Sequence, residues 1–213
     1  MLKLKIIIGS TRPGRAADRV ASWIVPLTRA HGGFDVRVAD LREWGLPMFG
    51  ETLDTVGDIR NPVFSVPAVK QWNSMIADGD AFLVITPEYN HSVPAVLKNA
   101  IDSVFATFAF RTKPVACVAY SGGIAGGTRA IEHLAQIAIE AEMVPLRSNV
   151  IIPFVGTAFG QDGQPADHRT TAAAGIMLDD LAWWGTTLRQ ARSAGTLPPA
   201  AMRLMALSEE AVR

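Results

Sequence analysis

The chain has 213 residues, 49% apolar and 19% charged, which suits one domain with a sizeable core. Twenty basic residues balance twenty acidic ones, so neither a nucleic-acid track nor an anionic membrane surface is indicated, and small-molecule partners are the default. The N-terminal apolar run is too short for a signal peptide, no stretch approaches the roughly 20 apolar residues of a membrane helix, and one cysteine, Cys117, permits no intrachain disulfide; a cytoplasmic protein is expected.

Residues 3–8, KLKIII, are a short apolar run stopped by Gly9 and predict a buried first strand. From about residue 14 to 31, Val20, Trp23, Ile24 and Leu27 recur at helical spacing, with a kink expected at Pro26. FDVRVADL, residues 34–41, alternates as a second strand. Residues 42–64 carry Gly and Pro repeatedly and read as an irregular connection, of a length unusual unless it serves a site. A helix is expected over about 66–78, then a third strand, DAFLVIT, running into the polar loop PEYNHS. Pro94 opens the next helix, PAVLKNAIDSVF, where its missing N–H costs nothing. KPVACVAY is the fourth strand and meets the glycines of SGG. Residues 125–142 form a helix with Ile131, Leu134, Ile137 and Ala138 on one stripe, and MVPLRSNVII, residues 143–152, is a fifth strand. A long helix covers 170–192 and ends near Gly195; the tail from Thr196 has room for one more short helix.

This βα alternation predicts a doubly wound parallel sheet with right-handed crossovers. Five strands favour the order 2-1-3-4-5 over the six-stranded 3-2-1-4-5-6. In that order strands one, three and four are neighbours, and their carboxyl ends carry the unusual loops GSTRPGR, TPEYNHSVP and YSGGIAGG. The first loop lacks the glycine spacing of a dinucleotide fingerprint. It has the two glycines of a P-loop, but Arg15 stands where lysine belongs and Ala16 where the magnesium-binding hydroxyl belongs. One unmetallated phosphate monoester fits better, held by the Ser10 hydroxyl, the Arg12 and Arg15 guanidiniums and the start of the helix; the plain alternative is an ordinary βα turn. Pro87, Glu88, Tyr89, Asn90 and His91 could edge a flat heterocycle, and Ser121, Gly122 and Gly123 would let a planar ligand approach their backbone.

Taken together, GSTRPGR, PEYNHSVPAVLKNAID and YSGG resemble the NAD(P)H-dependent FMN reductases of flavodoxin-like fold, a group that includes quinone, chromate and azo-dye reductases. The resemblance runs from about residue 3 to 152 and implies a three-layer sandwich; with the last long helix ending near Gly195, the domain is expected over 1–195, followed by a C-terminal tail, 196–213. It implies non-covalent FMN, with the phosphate at Ser10, Arg12 and the helix start, and the ring along Pro87 to Asn90 and beside Ser121 to Gly123. NAD(P)H is the implied co-substrate, a quinone, flavin or other small electron acceptor the implied partner, and a homodimer or homotetramer the implied assembly. Many relatives carry a serine and an asparagine shortly after the first-loop arginine; here Arg15, Ala16 and Ala17 occupy that stretch.

Two other classes are weighed against this reading. A non-catalytic FMN electron carrier, or a flavin-binding regulator, could share the scaffold, but such carriers are usually strongly acidic and this chain is neutral. A serine hydrolase needs a G-x-S-x-G elbow, and none occurs. His31, His91, His133 and His168 show no metal-ligand spacing, and no side chain is required as a catalytic acid or base.

Overall fold

In the computed structural model, which describes residues 1–58 and 61–211, the central strands are β1 (Leu2–Ile8), β3 (Ala81–Pro87) and β4 (Pro114–Tyr120). β3 and β4 are buried at every residue, as strands covered on both faces must be, and this is why they read as unbroken apolar runs. β2 (Phe34–Asp40) lies at one edge and alternates in burial. The order is β2-β1-β3-β4-β5, all pairs parallel, with β6 also on β4. The flavodoxin-like topology expected from the sequence is therefore present.

Strand periodicity divides the core into two layers. Leu4, Ile6, Leu83, Ile85 and Val118 pack against Trp23 and Ile24 of α1 (Ala17–Ala30) and Met177 and Leu181 of α7 (His168–Ala194). Ile7, Phe82, Val84 and Cys117 face the other way, against Trp72 of α4 (Pro67–Ala77), Leu97 of α5 (Ala95–Asp102) and Leu134 of α6 (Thr128–Glu140). Among the described residues no helix is long and apolar enough to cross a membrane.

Several expectations change. The fifth strand is two short pieces, β5 (Val144–Pro145) and β6 (Val150–Ile152). Between them the side chain of Asn149 takes the place of a backbone partner: its Oδ1 accepts from the Cys117 amide at 2.7 Å and its Nδ2 donates to the Leu146 carbonyl at 2.9 Å. α1 begins at Ala17 rather than 14 and runs through Pro26. The 42–64 connection, of which residues 59–60 lie outside the description, contains two single helical turns, α2 (Leu41–Trp44) and α3 (Leu53–Val56). α2 is capped by Asp40, which accepts from the Arg42 amide. α5 stops at Asp102, short of the expected end, and a 3₁₀ turn follows at Phe105–Thr107. The tail folds as α8 (Ala200–Ala211).

Candidate functional site

The register pairs Ile8 with Ile85 and Pro87 with Tyr120, so β1, β3 and β4 deliver their following loops to one end of the sheet. There a cleft of about 280 Å³ is lined by Arg12 to Ala16, Pro87 to Tyr89, Tyr120 to Gly122, and Val155. Of the residues predicted from the sequence, Ser10, Asn90 and Gly123 are not in this lining but sit within two residues of it. A larger cavity, about 480 Å³, lies among Phe105, Phe108, Ile137 and Ala201 and shares no residue with the three loops. The sheet-end cleft is the better candidate, because backbone donors, cations and aromatic rings meet there.

The first loop presents bare amides. Among the described residues, no backbone N–H from Ser10 to Arg19 has an acceptor within the protein. Such a run at a helix start, with Gly14 in the left-handed region, is what an anion needs. Ser10 is fully buried and its hydroxyl bonds the Tyr89 hydroxyl at 2.8 Å. The exposed Arg12 lays its guanidinium 5.3 Å from the centre of the Tyr89 ring.

Arg15 behaves differently from Arg12. Its side chain is 2% exposed, and its guanidinium makes four hydrogen bonds inside the protein. Nε donates to Asp18 Oδ1 at 2.8 Å, Nη1 to Asp40 Oδ1 at 2.7 Å and to the Ser10 carbonyl, and Nη2 to Asp40 Oδ2, with Asp18 Oδ1 in ion-pair contact with Nη2 at 2.7 Å. The bond to Asp40 raises the Arg15 pKa against the lowering effect of burial. Burial alone would raise the Asp40 carboxyl, but bonds from Arg15 and from the Arg42 amide hold it below its ordinary value. Arg15 thus lines the cleft with its guanidinium committed to partners inside the protein, because Asp40 ends β2 directly beside Ile8.

The second loop is a tight turn closed by reciprocal Tyr89–Ser92 backbone bonds of 2.9 and 3.1 Å, with Asn90 and His91 at φ of 48° and 72°. Asparagine accepts that conformation readily and histidine less so. Glu88, its side chain 3% exposed, forms an ion pair with Arg129 on α6 and also accepts from the Arg129 amide at 3.2 Å. Arg129 Nη1 in turn reaches His91 Nδ1 at 3.1 Å, which ties the turn to the helix. The amides of Asn90 and His91 remain without an acceptor among the described residues.

In the third loop the Ser121 amide is occupied by the Ile152 carbonyl, whereas those of Gly122 and Gly123 are open. A Cβ at either glycine would meet nothing within 4 Å, so a flat ligand has room against this backbone. Tyr120, Arg129 and Val155 were not singled out by sequence reasoning. Tyr120 had a usable signal, a hydroxyl on the last residue of a buried strand; Arg129 and Val155 enter through chain folding alone.

Residues 2–157 match the family described as NADPH-dependent FMN reductase. The chain is 35% identical over 135 residues to an NAD(P)H-dependent FMN reductase of Schizosaccharomyces pombe, covering 62% of this chain but only 65% of that protein. It is 33% identical over 194 residues to an NAD(P)H-dependent FMN reductase of Pseudomonas aeruginosa, covering 88% and 97% of the two chains. A 2-hydroxy-1,4-benzoquinone reductase of Burkholderia sp. is 30% identical over 188 residues, covering 86% and 96%. Among solved structures, a flavoenzyme NAD(P)H:(acceptor) oxidoreductase from Paracoccus denitrificans superposes with a TM-score of 0.72 at 22% identity, covering 88% of this chain and 98% of that one, a likeness of fold.

Proposed function

The chain belongs to the NADPH-dependent FMN reductase family, and from that premise we propose that it is an NAD(P)H-dependent reductase that holds FMN non-covalently in the sheet-end cleft and serves a quinone, flavin or similar acceptor by a ping-pong cycle. When bound, FMN supplies the two-electron chemistry, so that NAD(P)H, one proton and a quinone become NAD(P)⁺ and a quinol. The observation that carries the reading is the run of unpaired amides from Ser10 to Arg19, which fits a phosphate monoester and sits beside a glycine face open to a flat ring.

The chain's own residues bind and orient. Arg12 and the first-loop amides hold the phosphate, with Ser10 as a further donor. Arg15 is a positioning residue, since its bond to the Ser10 carbonyl and its pair with Asp40 fix the loop. Pro87 to Asn90 edge the ring, held in place by Glu88, Arg129 and His91. The Gly122 and Gly123 amides are the donors for negative charge on the reduced ring, a part that Ser121 cannot share because its amide is already bonded. A homodimer or homotetramer is the proposed working assembly, which light scattering measures.

The visible spectrum of the purified protein with FMN tests the reading. Flavin bands that bleach on addition of NADH or NADPH are expected, and failure to bind FMN would remove the proposal. Arg12→Ala should weaken FMN binding more than riboflavin binding, and equal losses would show the phosphate to be elsewhere.

A further inference from the structure

One polar atom in the cleft contributes nothing to the fold as it stands. Tyr120 ends β4 and is 3% exposed, and its hydroxyl is buried with no hydrogen-bond partner. Strand alternation places its ring with Ala116 and Val118 on the face covered by α1 and α7, a surrounding in which phenylalanine would pack as well. The charged and polar groups around the hydroxyl are Tyr89, Arg15, Ser10 and Asp18, most of them belonging to the β1–α1 segment. Ser10 is close enough to act on the hydroxyl but makes no hydrogen bond of proper geometry with it, its own hydroxyl being taken by Tyr89 at 2.8 Å; Arg15 pairs with Asp40 and Asp18, and Asp18 with Arg15 and Arg42. Leaving a buried hydroxyl unpaired costs on the order of 1–3 kcal/mol, so the group is retained at a loss unless a ligand completes it.

We propose that the Tyr120 hydroxyl donates a hydrogen bond to the phosphate of bound FMN, closing the anion cradle from the β4 side. Three features favour the phosphate end over the ring. Three of the four polar side chains acting on the hydroxyl, Ser10, Arg15 and Asp18, belong to the β1–α1 segment. The amides around that loop are open, so an anion is already catered for there. An oxyanion with spare lone pairs is also the acceptor that rewards a desolvated donor most. Burial pushes the Tyr120 pKa up, so the group remains a donor.

The inference rests on FMN being the ligand, and the test separates the two. Wild type and Tyr120→Phe, both stripped of flavin, are titrated calorimetrically with FMN and with riboflavin, and their apo-protein melting temperatures are compared. The expected result is a loss of about 10- to 100-fold for FMN with riboflavin changed less than about twofold. The apo-variant should melt at the same temperature as wild type or about 2–4 °C higher, since an unpaired hydroxyl has been removed. Unchanged FMN affinity, or equal loss for both ligands, would overturn the assignment. Apo wild type stabilised by inorganic phosphate but not by FMN would mark a free-anion site and also overturn it. Wild type that binds neither flavin would instead remove the functional reading itself.

Discussion

Arg15 and Arg12 are three residues apart on one loop and have opposite surroundings. Arg12 is exposed beside Tyr89, whereas Arg15 is enclosed by Asp40, Asp18 and the Ser10 carbonyl. Removing one member of such an enclosed pair leaves the other charge without its partner, a cost of about 3–5 kcal/mol. Arg15→Ala should therefore lower stability by that order in urea unfolding, and Arg15→Lys should recover only part because an ammonium cannot reproduce the two-pronged contact. The pair also gives stability a defined pH dependence. The Asp40 carboxyl titrates below its ordinary value in the folded state, so its contribution is complete above that ordinary value and is lost as pH falls through the folded one. The urea midpoint of the wild type should fall as pH drops below the ordinary aspartate value of about 4, and Asp40→Asn should flatten that slope. An unaltered slope would mean that Asp40 carries no such linkage.

The elements around the cleft are held by a few glycines with distinct duties. Gly127, at the start of α6, has φ of 96°, and a Cβ there would lie 2.6 Å from both the Ala119 Cβ and the Tyr120 amide nitrogen. Gly127→Ala must strain the left-handed backbone and push α6 off β4, which predicts a loss of roughly 2–4 kcal/mol in denaturant unfolding. Gly122→Ala meets no atom within 4 Å and should leave stability within about 0.5 kcal/mol while lowering flavin affinity, because its methyl projects into open space at the cleft. If both substitutions behaved alike, this division of roles would be wrong. The same contrast marks what was readable in the sequence. β3 and β4 were legible because strands buried on both faces must be continuously apolar, β1 through its closing III run, and the glycines and prolines near their ends are local signals. The split of the fifth strand was not, since it depends on Asn149 reaching the Cys117 amide 32 residues away. The inward turn of Arg15 was hidden for the same reason, its partner Asp40 being 25 residues downstream and adjacent only through the β1–β2 register. The unpaired hydroxyl of Tyr120 is likewise a property of assembled loops.

At the scale of the whole molecule, the cleft and the C-terminal helix are joined to the fold by very different means. Every lining residue of the cleft lies between Arg12 and Val155, on loops anchored by paired central strands. α7 is fixed by its buried stripe of Met177, Leu178 and Leu181, and its end is pinned by Arg192, which donates to the Thr112 carbonyl at 2.7 Å and to Asp80 at 3.0 Å. Among the described residues beyond Gly195 the polar ties to the core are longer, a 3.4 Å bond from Arg111 to the Pro198 carbonyl and a 3.2 Å bond from the Ala200 amide to Glu142. Leu204, Met205 and Leu207 are 66%, 46% and 63% exposed, so α8 buries little apolar surface against the domain. A chain ending at Gly195 should consequently fold, melt within about 2–4 °C of the full chain and bind FMN with an affinity changed less than about twofold. The loss of Ala201 uncovers one side of the cavity beside Phe105 and Phe108, which shares no residue with the cleft. Thermal melts and flavin titrations of the two chains check this, and light scattering shows whether their assembly differs. Weaker FMN binding by the shortened chain, with its melting temperature preserved, would overturn this separation of the tail from the cleft.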